Sequence, residues 1–306
     1  MSIRFDNRVV IITGAGGGLG RTYALQLAAL GARVVVNDPG GAVDGCGGDA
    51  SAADKVVAEI RARGGEAVAS YDSVASAAGG QAIIDTAMRA YGRVDALINN
   101  AGILRDKSFG KMEMADFEAV MQVHFMGSVY CTRAAWPVMQ EQKFGRIVMT
   151  TSMAGLVGNF GQANYGAAKT AMLGFMNVLK AEGAKNNILA NCISPVAGET
   201  RMAGTVADAK VAALVTSDYV APAVSWLCSE QCNVSGEVIG ASGGYFTAVR
   251  FYRSEGVLLR DNNTVPSVDD FAAAAGQIFD FSNPVPFTGT AKEFLRRMQE
   301  AGLYQP

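Results

Sequence analysis

A glycine-rich stretch near the N-terminus limits the possible folds of this 306-residue chain more than any other feature. It reads TGAGGGLG over residues 13–20, directly after the apolar run VVIIT and directly before a helical pattern. Glycines have no Cβ, so the backbone there can turn sharply and approach a phosphate group closely. The N-terminus of the following helix adds unpaired N–H donors and the positive end of its dipole. Although glycines also occur in purely structural turns, this strand–loop–helix position favours a dinucleotide site.

Apolar runs alternate with helical patterns along most of the chain. Runs typical of buried strands occupy residues 9–13, 33–37, 67–71, 96–99, 146–150 and 189–193, with 238–239 as a possible last strand. Helical patterns occupy residues 20–30, 52–63, 80–91, 115–140, 165–185 and 219–227. Such alternation predicts an α/β fold: a Rossmann-type doubly wound parallel sheet with helices on both faces and a C-terminal extension. Half of the residues are hydrophobic, enough for a sizeable core.

The pattern changes after about residue 248, which suggests a division of the chain. We predict a dinucleotide-binding domain over residues 1–248 and a C-terminal extension packed on this core over residues 249–306. Within the extension, residues 268–278 and 291–301 look helical. A few dozen residues bury little core alone, so an independent second domain is not expected.

Composition and charge argue against several classes of protein. The formal net charge is −2, with acidic and basic residues interspersed, so we predict no nucleic-acid partner and no membrane-surface patch. The five cysteines are scattered without a CxxC pair, and the single histidine, His124, has no companion ligands. We therefore predict neither a disulfide framework nor a metal site. Without an apparent signal peptide, apolar membrane span or SKL-type C-terminus, we expect a cytoplasmic protein.

An acidic residue at the end of the second predicted strand points to the choice of cofactor. Asp38 follows the glycines by about twenty residues, the spacing at which a carboxylate accepts hydrogen bonds from the adenosine ribose and repels a 2′-phosphate. The alternative is that Asn37-Asp38-Pro39-Gly40 is simply turn chemistry. We predict NAD as the cofactor, while the nearby basic residue Arg21 keeps NADP open as an alternative.

A tyrosine and a lysine one helical turn apart form the candidate catalytic centre. Tyr165 and Lys169 open a helix, and their i and i+4 spacing puts both side chains on one face. A free phenol is a poor base at neutral pH, but a nearby ammonium and the positive ring of an oxidised nicotinamide lower its pKa. Ser152 follows the strand 146–150 at the edge where parallel sheets bind ligands, suited to hold a substrate oxygen. The segments 99–102 (NNAG) and 72–74 (DSV) follow other strands to that edge.

These motifs, in this order and spacing, resemble the short-chain dehydrogenase/reductase family over about residues 5–245. The resemblance implies an NAD-dependent oxidoreductase with Ser152, Tyr165 and Lys169 as catalytic residues, the first two in contact with the substrate. It also implies that Lys169 binds the nicotinamide ribose, that Asp72 contacts adenine and that residues 195–200 lie over the nicotinamide. The cofactor-binding residues expected are Gly14, Gly18, Leu19, Gly20, Asp38, Asp72, Ser73, Val74, Asn99, Asn100, Ala101, Gly102, Tyr165, Lys169, Pro195, Val196, Gly198 and Thr200.

A narrower resemblance concerns the substrate. The segments VVVNDPGG, YDSV, NNAGILRDKSF, GNFGQANYGAAK and YVAPAVSWLC are similar to the (3R)-hydroxyacyl-CoA dehydrogenase portion of peroxisomal multifunctional enzymes. No counterpart of their hydratase and sterol-carrier portions is present, so we expect a stand-alone dehydrogenase. His124 stands where most of the wider family has asparagine. It is a further candidate catalytic residue, which either supports a water relay to Lys169 or fills a polar niche.

The expected reaction is the oxidation of a secondary alcohol to a ketone, with a (3R)-hydroxyacyl-CoA carrying a fatty or steroid side chain as the preferred substrate. A free hydroxysteroid is the alternative substrate, and a non-catalytic NAD(H)-sensing module is the alternative function. Helices 115–140 and 165–185 carry apolar residues on more than one face, including Met121, Phe125 and Phe175. Such helices need cover on both sides, so we expect a homo-oligomer, at least a homodimer.

Overall fold

A central sheet of eight strands organises the chain, in the order β3-β2-β1-β4-β5-β6-β7-β8. The computed structural model describes residues 2–45, 47, 51–196, 214–260, 264–286, 295–296, 298–299 and 302–303. The strands are β1 Val9–Thr13, β2 Arg33–Asn37, β3 Glu66–Ser70, β4 Ala96–Asn99, β5 Gly145–Thr150, β6 Ile188–Val196, β7 Val238–Ser242 and β8 Tyr245–Val249. Strands β1 to β7 pair in parallel. The predicted α/β, doubly wound fold is confirmed.

The strand order reverses beside β1, and this reversal locates the site. From β1 the chain builds outward to β2 and β3, and then returns to place β4 on the other side of β1. Loops that leave the carboxyl ends of β1 and β4 therefore diverge and open a crevice between them. All residues of β1 and β4 are buried, which explains why both read as uninterrupted apolar runs.

The helices that cover the sheet include nearly all those predicted from the sequence. They are α1 Gly18–Ala29, α2 Ser51–Ala62, α3 Ala77–Tyr91, α4 Met114–Met121, α5 Gly127–Gln142, α6 Met153–Val157, α7 Ala163–Gly183, α8 Ala221–Cys228 and α9 Val268–Ile278. The ends of α3 follow from local chemistry, because the Ser76 side chain accepts a hydrogen bond from the Gly79 backbone and Gly92 adopts the left-handed conformation. In contrast, α1 begins after Gly17 with no side-chain cap.

The prediction of one continuous helix over residues 115–140 is wrong for the middle of that range. Five residues, Gln122–Met126, form a π-helical turn between α4 and α5. A π turn widens the helix by one residue per turn and is frequent at functional sites. Here it carries His124, which is buried. Apolar periodicity carries no signal for such a local change of winding, so the sequence pattern alone predicts a continuous helix.

By its contacts the chain separates into two compact units, Met1–Ala248 and Val249–Pro306. Within the second unit, strand β9 (Tyr252–Arg253) pairs antiparallel with β10 (Val285–Pro286), and Ser267 and Asp270 form a capping box at the start of α9. The predicted helix 268–278 has these bounds. Much of the predicted helix 291–301 lies outside the described residues, and packing of the extension on the core stays a prediction.

Candidate active site

A cleft of about 780 Å³ lies at the carboxyl edge of the sheet, over the point where the strand order reverses. It brings together the glycine-rich loop, the ends of β2, β4 and β5, and the start of α7. The predicted site residues among its lining are Gly14, Gly18, Leu19, Asp38, Ser73, Val74, Asn100, Ala101, Gly102, His124, Ser152, Tyr165, Lys169, Pro195 and Val196. Gly198 and Thr200 lie outside the described residues.

The glycine-rich loop is shaped for close approach of a phosphate. Gly14 has φ +64°, and a Cβ there would lie 2.8 Å from the Cα of Ala101. A side chain at Gly20 would overlap the carbonyl oxygen of Gly14, so Gly20 packs beneath the loop and is not among the residues that line the cleft. Gly17 has open space where a Cβ would stand. Together with the uncapped N-terminus of α1, this cradle suits a dinucleotide pyrophosphate.

Two neighbouring asparagines at the end of β4, Asn99 and Asn100, make different contacts. The Asn100 side chain donates to the carbonyl oxygens of Thr13 and Gly14, at 3.0 and 3.1 Å, and its backbone N–H donates to the Thr13 hydroxyl. These bonds hold the ends of β1 and β4 in position around the crevice. Asn99 turns away from the cleft and donates to the Thr132 hydroxyl at 3.1 Å. Asn99 is therefore buried behind the cleft wall and does not line the cleft.

Asp38 makes the turn hydrogen bonds that were one of the two roles suggested for it, and its contact with a ribose stays a prediction. Its carboxylate accepts hydrogen bonds from the backbone N–H groups of Gly16 (2.8 Å) and Gly40 (2.7 Å), so it stabilises the turn after β2. The same residue lines the cleft. A carboxylate in this place disfavours a 2′-phosphate. Arg21, the basic residue that kept NADP open, pairs with Glu59 of α2 at 2.6 Å.

The adenine side of the predicted site is only partly assembled at the cleft. Ser73 and Val74 line it, but Asp72 does not. The Asp72 carboxylate accepts a hydrogen bond from the Ser70 hydroxyl at 3.3 Å, and its backbone oxygen accepts one from Asn37 at 2.9 Å. In this structure Asp72 thus supports the end of β3, and its contact with adenine stays a prediction.

The three predicted catalytic side chains meet beside the end of β5. Ser152 caps the short helix α6, its hydroxyl accepting from the Ala154 backbone at 3.2 Å. Lys169 is buried, and its ammonium donates to the carbonyl oxygen of Thr150 at 2.6 Å and lies 5.4 Å from the centre of the Tyr165 ring. The position of Lys169 requires Gly155, because a Cβ there would lie 2.6 Å from the Lys169 Cβ.

Burial dominates the electrostatics of this centre. Loss of solvent raises the pKa of the Tyr165 phenol above its ordinary value, and the nearby Ser152 side chain partly offsets this while the charge of Asp106 adds to it. Burial also lowers the pKa of Lys169 to about 7. The side chains of this centre therefore do not by themselves lower the phenol pKa as the sequence led us to expect, and a lowering by an oxidised nicotinamide stays a prediction.

His124 lies edge-on to Tyr165, with ring centres 5.2 Å apart. Its Nε2 lies 3.0 Å from the backbone nitrogen and 2.8 Å from the backbone oxygen of Ile103. Among the described residues, its buried Nδ1 has no hydrogen-bond partner. Burial and the charge of Lys169 lower the pKa of His124 well below its usual value, so the ring is neutral. Gly102 makes room for it, since any side chain there would overlap the ring.

Sequence reasoning missed several residues that line the cleft. They are apolar or uncharged and carry no motif of their own: Val43, Gly45, Ile103, Leu104, Val123, Met153, Asn159 and Gln162. Most of these residues are within three positions of a predicted site residue. Closeness to a motif along the chain is therefore the signal that could have identified them as part of the cleft. Among the described residues there is no group of three or more potential metal ligands, and no helix long and apolar enough to cross a membrane.

The glycine cradle, the acidic residue after β2 and the Ser–Tyr–Lys centre define a dinucleotide-dependent oxidoreductase, and comparison with known families agrees. Residues 8–211 match the family model described as short chain dehydrogenase. The chain therefore belongs to the short-chain dehydrogenase family and is an oxidoreductase, as predicted.

Two curated relatives cover nearly the whole chain. It is 46% identical over 98% of its length to the peroxisomal multifunctional enzyme type 2 of Mus musculus, of which it spans 41%. It is 49% identical over 90% of its length to a short-chain type dehydrogenase/reductase of Mycobacterium tuberculosis, of which it spans 96%. The predicted resemblance to the multifunctional enzymes is confirmed, although the chain spans less than half the length of the mouse relative.

Solved structures agree with this assignment. The full-length peroxisomal multifunctional enzyme type 2 from Drosophila melanogaster superposes with a TM-score of 0.83 at 38% identity, over 98% of this chain and 50% of that one. A 7α-hydroxysteroid dehydrogenase, complexed with NADH and 7-oxo glycochenodeoxycholic acid, superposes with a TM-score of 0.71 at 31% identity, over 79% of this chain and 95% of that one.

Proposed function

We propose that this chain is an NAD-dependent dehydrogenase that oxidises the secondary alcohol of a (3R)-hydroxyacyl-CoA to a ketone. One observation carries the proposal: the glycine cradle, Asp38 and the Ser152–Tyr165–Lys169 centre line a single cleft. A dinucleotide cradled by the glycines and a substrate oxygen held by Ser152 and Tyr165 would thus share one cleft. The NADH bound to a structural relative supports the choice of cofactor.

In the proposed reaction Tyr165, as phenolate, takes the proton of the substrate hydroxyl, and Ser152 donates a hydrogen bond that orients the oxygen. NAD⁺, which the glycine-rich loop and Asp38 would hold, would supply the acceptor for the hydride of the carbinol carbon. Lys169, fixed on the Thr150 carbonyl, places a titratable amine behind the tyrosine. Because burial lowers the pKa of Lys169 to about 7, this amine can gain or lose a proton near neutral pH. The chain's residues thus orient the substrate and hold its proton.

The substrate class rests on the similarity to multifunctional enzymes, one group of which is named hydratase-dehydrogenase-epimerase. The similarity to a hydroxysteroid dehydrogenase supports a free hydroxysteroid as the second candidate substrate. A third candidate, an NAD(H)-sensing module without turnover, is less well supported, because a sensor has no need of a complete catalytic centre.

The decisive experiment measures NADH formation with matched 3R- and 3S-hydroxyacyl-CoAs of several chain lengths and with a panel of hydroxysteroids. We expect turnover of the 3R series. Tyr165→Phe serves as the inactive variant, and Tyr71→Phe, which removes an exposed phenol bonded to Asp54, serves as the matched control. Turnover of steroids alone would favour the second candidate. Cofactor binding without turnover of any alcohol would favour the sensor and reject the enzyme.

We also propose a homo-oligomer, at least a dimer. Met121, Phe125, Val129 and Phe175 remain only half-buried, and the Phe125 and Phe175 rings meet edge-to-face at 6.1 Å. An isologous partner is the commonest cover for such a helix surface. Localisation in the cytoplasm stays a prediction, since the relatives include enzymes named as peroxisomal.

A further inference from the structure

The loop that follows β2 crosses over the end of β1. In the sheet β1 lies between β2 and β4, yet residues 39–45, which we call the crossing loop, reach from the end of β2 to the segment after β4. The backbone N–H of Leu104 donates to the carbonyl oxygen of Val43 at 2.9 Å. The crossing loop and the glycine-rich loop line the same cleft. The crossing loop therefore forms part of the wall around the dinucleotide site.

The side chain of Arg105 also contacts this loop. The Nε of Arg105 donates to the carbonyl oxygen of Asp44 at 3.0 Å, while its Nη1 contacts the carboxylate of Asp116 on α4 at 3.2 Å. The guanidinium thus joins the crossing loop to α4. A planar fork with several fixed donors is suited to such a double contact, and a lysine, with its single ammonium, is not.

The same arginine is positioned by the catalytic helix. Its backbone oxygen accepts a hydrogen bond at 3.0 Å from the side chain of Asn164, which is fully buried. Asn164 also accepts a bond from the backbone N–H of Tyr165 at 2.7 Å. Tyr165, Asn164, Arg105 and Asp44 therefore form a continuous chain of contacts between the catalytic tyrosine and the crossing loop.

We propose that Arg105 is a positioning residue that holds the crossing loop against the cofactor cleft and thereby slows release of the dinucleotide. The proposal rests on the proposed use of this cleft for NAD(H). Arg105 touches neither reacting atom, so its loss acts on cofactor release and leaves the chemistry of Ser152 and Tyr165 in place.

The test compares Arg105→Ala, Arg105→Lys and the matched control Lys107→Ala. Lys107 also pairs with Asp116, at 3.6 Å, but no contact joins its side chain to the crossing loop among the described residues. NADH release is measured by stopped-flow fluorescence after displacement with excess NAD⁺. We expect about fivefold faster release in Arg105→Ala, the factor for one typical hydrogen bond of about 1 kcal/mol. Arg105→Lys should also release NADH faster, because lysine keeps the charge but cannot make both contacts. Lys107→Ala should release NADH at the rate of the unaltered protein.

A second measurement needs no cofactor. The Leu104 amide, bonded to Val43, exchanges its hydrogen faster in Arg105→Ala than in Lys107→Ala if the arginine fastens the loop. Unchanged exchange, or faster exchange without faster NADH release, overturns the proposal. A protein that binds no NADH overturns the proposed function, whereas the exchange measurement still reports on the loop.

Discussion

Replacing the buried lysine of the candidate catalytic centre with methionine should make this protein more stable at neutral pH. Lys169 is 3% exposed, and burial lowers its pKa from 10.5 to about 7. Each pKa unit corresponds to about 1.4 kcal/mol, so keeping this ammonium in the folded protein costs up to about 5 kcal/mol below pH 7. Lys169→Met removes that cost and loses the bond to Thr150, a loss of about 1 kcal/mol, together with some packing.

The pH dependence gives the sharper test, because its sign is fixed by the direction of the shift. Between about pH 7 and 10.5 the unfolded chain keeps the proton of Lys169 while the folded protein has released it. Stability rises with pH wherever the unfolded state binds more protons, here by about 1.4 kcal/mol per pH unit from this group. Lys169→Met lacks this contribution. Its advantage should therefore be about 3 kcal/mol near pH 7 and should shrink steadily as the pH rises.

The assay is urea unfolding of cofactor-free protein at pH 7, 8 and 9, at one protein concentration and one ionic strength. Taking the difference between the variant and the unaltered protein cancels most other titrations, with His124 and Cys192 as exceptions because the charge of Lys169 lowers the pKa of both. Lys180→Met, at the exposed end of the same helix, is the control for the substitution itself. Parallel stability profiles for Lys169→Met and the unaltered protein would refute the reasoning, since they would mean that the folded protein does not penalise the charge.

Three further predictions follow from the site and the helix surfaces. Tyr165→Phe should lower kcat by at least about a hundredfold with cofactor affinity largely kept; a variant that retains a third of the rate would exclude Tyr165 as the acid/base. Asp38→Ala should narrow the preference for NAD over NADP in kcat/KM, and a native preference for NADP would contradict the role given to Asp38. Light scattering at micromolar concentration should give at least a dimer mass, and a monomer mass would reject the proposed oligomer.

Strands and motif positions could be predicted from sequence because each depends on a short, local pattern. The β-branched runs of β1 and β2 have the bounds expected of them, since both strands are buried on both faces and admit little else. The glycines of the first loop could also be predicted to be functional, because the packing there excludes side chains. A Cβ at Gly14 would lie 2.8 Å from the Ala101 backbone. Where only one residue type fits the available space, its presence in the sequence predicts the local structure.

Features that arise from contacts between distant segments could not be predicted in this way. Strand β8 follows the Gly243–Gly244 turn, and its residues are mostly exposed, so it has no apolar alternation to reveal it. The crossing loop depends on Arg105, sixty-one residues away from Asp44 along the chain. The lowered pKa of Lys169 depends on how deeply α7 buries it, a property of packing that the YxxxK spacing does not encode.

The two ring nitrogens of His124 allow its two candidate roles, a water relay and a polar niche, to be separated. Nε2 is engaged by the Ile103 backbone, whereas Nδ1 is buried without a partner in the described part of the chain. A buried polar atom without a partner costs about 1–3 kcal/mol unless a water satisfies it, so we expect an ordered water at Nδ1, on a path to Lys169.

His124→Phe keeps the ring volume and removes both nitrogens, whereas His124→Asn keeps polar atoms in less volume. If Nδ1 binds a relay water, His124→Phe should lower kcat at least about tenfold with unchanged affinity for NADH, and His124→Asn should restore part of the rate despite its poorer packing. If His124 only fills a niche, both variants should lose stability and neither should lose kcat beyond the fraction unfolded. Measuring kcat, NADH affinity and unfolding free energy together separates these cases, because a relay affects kcat and a niche affects stability. Equal kcat values for His124→Phe and the unaltered protein would reject the relay.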